Sequence, residues 1–381
     1  MSTTTASWKT PEIEEFRAQV RRFVATEVAP HEERWARQHR VDRETWRKAG
    51  ELGYLLADQP VDYGGSGGTF AHLAVVVEEL AYAGDSAFAV GVHAIVSGYV
   101  LKQGTEEQRR RYLPRLASGE MIGAIAMTEP GTGSDLQAVA TRAERRGDGW
   151  VLSGAKTFIS NGSLADLVIV VARTGDEPGA KGISLLLVET KDTPGFRVGR
   201  VLEKIGQKGQ DTCELFFEDV HLPADAVLGG VPGRGFYQLM TELPYERTLI
   251  AVGAVPAIER AVRLTAEYAR ERKMFGRTLL DMQNTRFVLA AAKTKAVVAR
   301  AYIDRCIEQY LAGEMDAASA SMAKLWTTET QCQVVDDCLQ LFGGYGYMLE
   351  YPIAQMYADA RVQRIYGGAN EVMKELIART L

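Results

Sequence analysis

A chain of 381 residues is long enough for two to three domains of about 150 residues each. With 46% apolar and 24% charged residues it can close a sizeable core, which excludes global disorder. Lys plus Arg number 44 against 49 Asp plus Glu, a net charge of −5 that gives no broad positive field for nucleic acid, and the four cysteines contain no C-x-x-C pair for a disulfide framework or thiolate zinc site.

The opening Met1–Thr10 is polar and has neither the apolar centre of a signal peptide nor the Arg-rich face of a transit peptide. The longest apolar runs, such as Leu167–Ala172, fall far short of the ~20 residues that span a bilayer. A cytoplasmic chain with no membrane span is expected. From Pro11 the apolar residues Ile13, Phe16, Val20, Phe23 and Val24 recur at helical spacing, and further helices are expected at Arg43–Gly53, Phe70–Ala83, Ala87–Gln103 and Glu106–Leu116.

Between Met121 and Leu228 the texture becomes β-rich, with strands expected at Thr141–Arg145, Trp150–Ser153, Leu167–Ala172, Ile183–Glu189 and Glu214–Phe217, and a hairpin turn at Gly147-Asp148-Gly149. The helical period returns at Val255–Arg272, Asp281–Leu311, Ala317–Leu341 and Val372–Leu381. The expected class is mainly α with a central β domain: helices over 1–120, strands over 121–230 and a helical bundle over 231–381. Strands and helices do not alternate, which opposes a doubly wound α/β fold.

Rossmann, P-loop, H-E-x-x-H and G-x-S-x-G patterns are absent, and the five scattered histidines read as surface or satisfied core residues, so no metal site is expected. The loop Met127-Thr128-Glu129-Pro130-Gly131-Thr132-Gly133-Ser134-Asp135 could close around phosphate oxygens or be a plain turn. Gln340–Tyr347 at the end of one helix and Tyr366–Glu371 before the last helix allow either capping or close approach to a ligand. Glu246, in Leu243-Pro244-Tyr245-Glu246-Arg247, combines an apolar surround that raises a carboxyl pKa with an arginine that lowers it. That suits a tunable base, the alternative being an exposed ion pair at a helix start.

Together these segments resemble the acyl-CoA dehydrogenase family from about Thr10 to Leu381. The resemblance rests on Ala126–Asp135, on Gln340–Gly346 followed by Glu350-Tyr351-Pro352 about 200 residues later, and on Lys156–Gly162 and Glu271–Gly276 between them. It implies a helical, β-barrel, helical architecture and bound FAD. The flavin and its pyrophosphate would be lined by Ile125, Ala126, Met127, Thr128, Gly133, Ser134, Phe158, Ile159 and Ser160. Arg272, Phe275, Gln283 and Gln340, Leu341, Phe342, Gly343 and Gly344 would hold the adenine half across a subunit interface of a homotetramer, and Ala369, Asn370 and Glu371 would complete the cofactor site.

The reaction implied is α,β-dehydrogenation of a fatty acyl-CoA to the trans-2-enoyl-CoA, with the β-hydride going to flavin N5 and electrons passing to an electron-transferring flavoprotein. Most relatives carry the catalytic glutamate in a Tyr-Glu-Gly-Thr segment, whereas this chain reads Tyr366-Gly367-Gly368-Ala369. The long-chain and isovaleryl branches place the base about 120 residues earlier, at the position of Glu246, and the long-chain branch is the more similar. By position, Ser134, Gly182, Ile183, Tyr237, Pro244, Tyr245, Arg247, Gly367 and Gly368 would contact substrate, the Gly367 amide holding the thioester oxygen. Ala369 and Gln355 depart from the usual threonine and basic residue. Alternatives are an acyl-CoA oxidase, a dehydrogenase of a branched or carrier-bound thioester, and a non-catalytic flavin scaffold.

Overall fold

The computed structural model describes residues 6–381, so the first half of the polar opening read at Met1–Thr10 lies outside the described residues. Six helices come first: α1 (Pro11–Phe23), α2 (Glu32–Gln38), α3 (Arg43–Glu51), α4 (Phe70–Ala83), α5 (Val90–Gln103) and α6 (Glu106–Ala117). Their ends obey local chemistry. Thr10 Oγ1 accepts from the Ile13 amide at 3.3 Å with Pro11 in the first turn, and Thr105 and Gln108 form a reciprocal capping box on α6. α2 has no counterpart in the sequence expectation, because one fully buried side chain, Trp35, anchors it and a single anchor makes no period.

Seven strands follow: β1 (Gly123–Ala126), β2 (Arg142–Arg146), β3 (Gly149–Ser160), β4 (Leu167–Arg173), β5 (Ile183–Glu189), β6 (Phe196–Val201) and β7 (Thr212–Leu222). They form one sheet in the order β1-β4-β2-β3-β7-β6, with β5 also paired to β4. Arg146 pairs with Gly149, so Gly147-Asp148 is the expected two-residue turn, with Gly147 at φ +58°. Leu167, Ile169 and Val171 of β4 join the core shared with the helices, while Val168, Val170 and Ala172 join a second core enclosed by the curled sheet. Burial on both faces explains the unbroken apolar run of β4.

Two of these seven strands escaped the sequence reading, β1 because it is four small or single-branched residues and β6 because arginines interrupt an exposed edge. β3 runs 12 residues where four were expected, since its register shifts at Leu152/Gly154 and Lys156/Ile159 break the alternation.

The remainder is α7 (Gly235–Glu271), the hairpin β8 (Lys273–Met274) and β9 (Arg277–Thr278), α8 (Gln283–Leu311), α9 (Ala317–Leu341), α10 (Pro352–Ala360) and α11 (Asn370–Ala378). α7 begins 20 residues before the expected start at Val255 and continues through Pro244 and Pro256. Each proline removes an i→i−4 bond, but packing against α4, α8 and α9 carries the helix through. Among the described residues no helix is long and apolar enough to cross a membrane.

Candidate active site

Glu246 sits three turns into α7, 5% exposed, among Leu243, Tyr245 and Leu249. It is therefore mid-helix and buried, not an exposed pair at a helix start. Its Oε1 accepts from the Tyr99 hydroxyl of α5 at 2.8 Å. Burial pushes the carboxyl up to about 7 from an ordinary 4.5, and the nearby Glu242 adds to the rise, against the lowering pull of the Tyr99 hydroxyl and Arg247. Arg247 does not pair with it directly, since its Nε donates to the Gly367 carbonyl at 3.3 Å and its Nη1 to Ser321 Oγ at 3.5 Å.

Those bonds bring the turn before α11 onto α7. Gly367 and Gly368 have φ of +65° and +93°, a region that favours glycine. A Cβ on Gly367 would lie 2.4 Å from Cδ1 of Ile250, which stands one helical turn after Glu246, so Ile250 fills the space that a side chain at 367 would enter. Lys324 of α9, fully buried, donates to the Gly368 carbonyl at 2.9 Å and to Asn370 Oδ1 at 2.7 Å. Burial, helped by the charge of Arg247, brings its amine down to about 8. The Asn370 amide group donates inward to Thr328 Oγ1 and Glu329, which leaves its backbone at the head of α11 beside half-buried Ala369 and exposed Glu371.

A second group gathers around β1 and β3. The Thr157 amide donates to the Thr128 carbonyl at 2.9 Å, which ties the 127–134 loop to β3. Beneath it Lys156 Nζ, buried, donates to Glu129 Oε1 at 2.8 Å and to the Met127 carbonyl at 3.1 Å. Burial alone would raise Glu129, but Lys156 and the Ala140 and Thr141 groups outweigh it and hold the carboxyl below its usual range. At the bulge Phe158 adopts φ +60° and stands 66% exposed, with half-buried Thr128 and Ser160 nearby in the chain and buried Ile159 anchoring the strand. Ile125 and Met127 are half-buried, Ala126 is buried, Ser134 is exposed, and a Cβ at Gly133 would meet open space.

The remaining expected residues fall into two places. Arg272, Phe275 and Gln283 are exposed near the β8–β9 hairpin, and Arg272 lies over the Tyr345 ring at 5.5 Å, in the same region as the open glycines Gly343 and Gly344. Gln340 is exposed and Leu341 half-buried, whereas Phe342 is packed away, stacked on Tyr268 at 4.2 Å. Gly182 and Ile183 are buried at the head of β5, and Tyr237 lines a cavity of about 230 Å³ with Arg234 and Gln238. Tyr237 stands nine residues before Glu246, about 13 Å along the axis of α7 and about half a turn round it, so the structure does not bring the two together. Pro244 lies between them, while Tyr245 turns to the helical side, its hydroxyl donating to Asp58 at 2.9 Å beside Phe70 and Tyr310.

Tyr99, Ile250 and Lys324 were missed by sequence reasoning. α5 is apolar almost all round, so its few polar side chains had to find buried partners. That signal could single out Tyr99 but not name Glu246 as its partner.

Residues 10–120, 124–220 and 233–381 match the family models described as acyl-CoA dehydrogenase, N-terminal, middle and C-terminal domain respectively. The long-chain specific acyl-CoA dehydrogenase, mitochondrial, of Mus musculus is 50% identical over 369 residues, 96% of this chain and 85% of that protein. A crystal structure of acyl-CoA dehydrogenase from Geobacillus kaustophilus superposes with a TM-score of 0.96 at 44% identity over 99% of both chains. A glutaryl-CoA dehydrogenase from Mycobacterium smegmatis in complex with FADH2 gives a TM-score of 0.91 at 29% identity, covering 99% of this chain and 96% of that one. The chain belongs to the acyl-CoA dehydrogenase family. It is an oxidoreductase with acyl-CoA dehydrogenase activity, and the family uses FAD. The residues present fit that cofactor: an exposed aromatic ring at a strained bulge, a glycine loop with open backbone and hydroxyls beside it, and unfilled space at Gly343 and Gly344.

Proposed function

We propose that this chain removes the α-proton of a long-chain acyl-CoA with Glu246, while FAD bound along residues 125–134 and 158–160 serves as the two-electron acceptor for the β-hydride. The observation that carries the reading is a buried carboxyl raised to about 7 on the helix that faces a side-chain-free glycine turn. A base of that pKa is mostly ionised at slightly alkaline pH yet strong enough to share a proton from carbon.

An α-proton of a thioester is too weakly acidic for a carboxylate alone, so charge on the thioester oxygen must be held. The turn at 366–368 suits that task, because Arg247 and Lys324 take the Gly367 and Gly368 carbonyls and fix the segment that offers the Gly367 amide. Glycine at 367 also leaves no second carboxylate at this place, which avoids the like-charge pair that would drive one pKa further up. Exposed Phe158 and the 127–134 loop would cover the flavin, and Arg272, Phe275, Gln283 and residues 340–344 would hold its adenine half next to a second subunit of a homotetramer. An electron-transferring flavoprotein is the proposed oxidant of the reduced enzyme, and the long acyl chain is supported by the 50% identical relative.

The test is an anaerobic visible spectrum of the purified holoenzyme with saturated acyl-CoAs of increasing length. Bleaching by long-chain members, reversed by an electron-transferring flavoprotein, is expected. A yellow protein that no acyl-CoA bleaches, or rapid peroxide formation with no response to that acceptor, contradicts the reading.

A further inference from the structure

Glu246 is buried, and one donor, and one only among the described residues, reaches its carboxylate. Tyr99 is fully buried on α5, which packs along α7, and its hydroxyl makes a single hydrogen bond, to Glu246 Oε1. A buried phenol needs a partner, and phenylalanine would fill the same volume without that demand. The second oxygen, Oε2, accepts no hydrogen bond from the protein and is not sealed in the interior.

We propose that Tyr99 is the positioning residue of the base, its hydroxyl holding Oε1 so that Oε2 is the oxygen presented to the substrate α-carbon. The proposal rests on the reading of Glu246 as base. In the step, the Cα–H bond breaks, an O–H bond forms at Oε2, and the electron pair moves toward the thioester carbonyl held by the Gly367 turn. Tyr99 keeps its proton throughout, since burial and the adjacent carboxylate push its phenol well above the usual range.

The other charged groups around Glu246 are already engaged elsewhere. Glu242 of α7 accepts from Lys102 at 2.9 Å and Gln103 at 2.8 Å, Arg247 turns to the Gly367 carbonyl and Ser321, and Lys324 of α9 is held by Gly368 and Asn370. The glycine turn presents no ionisable side chain at 367 or 368. Among the described residues Tyr99 is thus the one group that hydrogen-bonds the carboxylate and so fixes its rotamer, and it favours the ionised form together with the charge of Arg247, against that of Glu242.

The experiment is the pH profile of anaerobic FAD reduction by a saturated acyl-CoA in Tyr99→Phe holoenzyme, from pH 5 to pH 9. Loss of a donor that favours the carboxylate should move the acid limb upward by about one pH unit, which is about tenfold in rate below the limb. KM should change little and the rate should recover toward the parent value at high pH. An acid limb in its parental place, with the rate unchanged or lowered by one factor at every pH, overturns the proposal. Tyr99→Phe placed in a Glu246→Gln background should lower residual reduction no further, and an additional loss there would show a merely structural role. Near-parental reduction by Glu246→Gln alone would instead overturn the base itself, a distinguishable failure.

Discussion

At the scale of single residues, Glu246 and Gly367 form a coupled pair of choices. The helix supplies the carboxylate, and the turn gives up its side chain to Ile250 and its conformation to a left-handed φ. Keeping a carboxyl in this interior has a cost that depends on pH. Its pKa in the fold, about 7, exceeds the ordinary 4.5, so between those values the native state holds a proton that the unfolded chain releases. The group's contribution to stability therefore declines as pH rises from 4.5 and reaches its lowest value above 7. Glu246→Gln, which still accepts from Tyr99, should be more stable than the parent at pH 8 by up to about 3 kcal/mol and about equal at pH 4. Thermal melting at the two pH values checks this, and equal gains at both would contradict the assignment of the raised pKa.

At the scale of elements, the loop proposed to cover the flavin depends on one buried ion pair. Lys156 and Glu129 are both nearly sealed, and together they fix the 127–134 loop above β3. Removing one partner leaves a buried charge, so Lys156→Met should cost roughly 3–5 kcal/mol in denaturant unfolding. The same variant should shed FAD during gel filtration, and parental stability with full FAD retention would contradict this role.

Elements also show what the sequence could reveal. Phe70–Ala83, Ile183–Glu189 and Ala317–Leu341 were legible to the residue, because capping chemistry or an uninterrupted apolar pattern marks both ends. The first half of α7 was not, since Pro244 and Pro256 look like breaks and only tertiary packing overrides them. The bulged end of β3, which carries Phe158, was likewise invisible to an alternation rule that the bulge itself violates. The motifs drew attention to Glu246 and the glycine turn, but Tyr99 and Lys324 come from helices with no motif and are joined to the site only by folding.

At the scale of the whole molecule, the proposed site draws on three structural layers. α5 would contribute Tyr99, the curled sheet the exposed Phe158, and α7, α9 and the final turn the proposed base and its glycine partner. Apolar side chains left open at the far side, Phe275 at 88%, Tyr347 at 85% and Leu349 at 67%, lie where the proposed neighbouring subunit would share the cofactor. The proposed chemistry stands on Glu246. Anaerobic titration of Glu246→Gln holoenzyme with a long-chain acyl-CoA tests it most directly: a folded yellow protein whose flavin stays oxidised is predicted, and bleaching at a near-parental rate would contradict it.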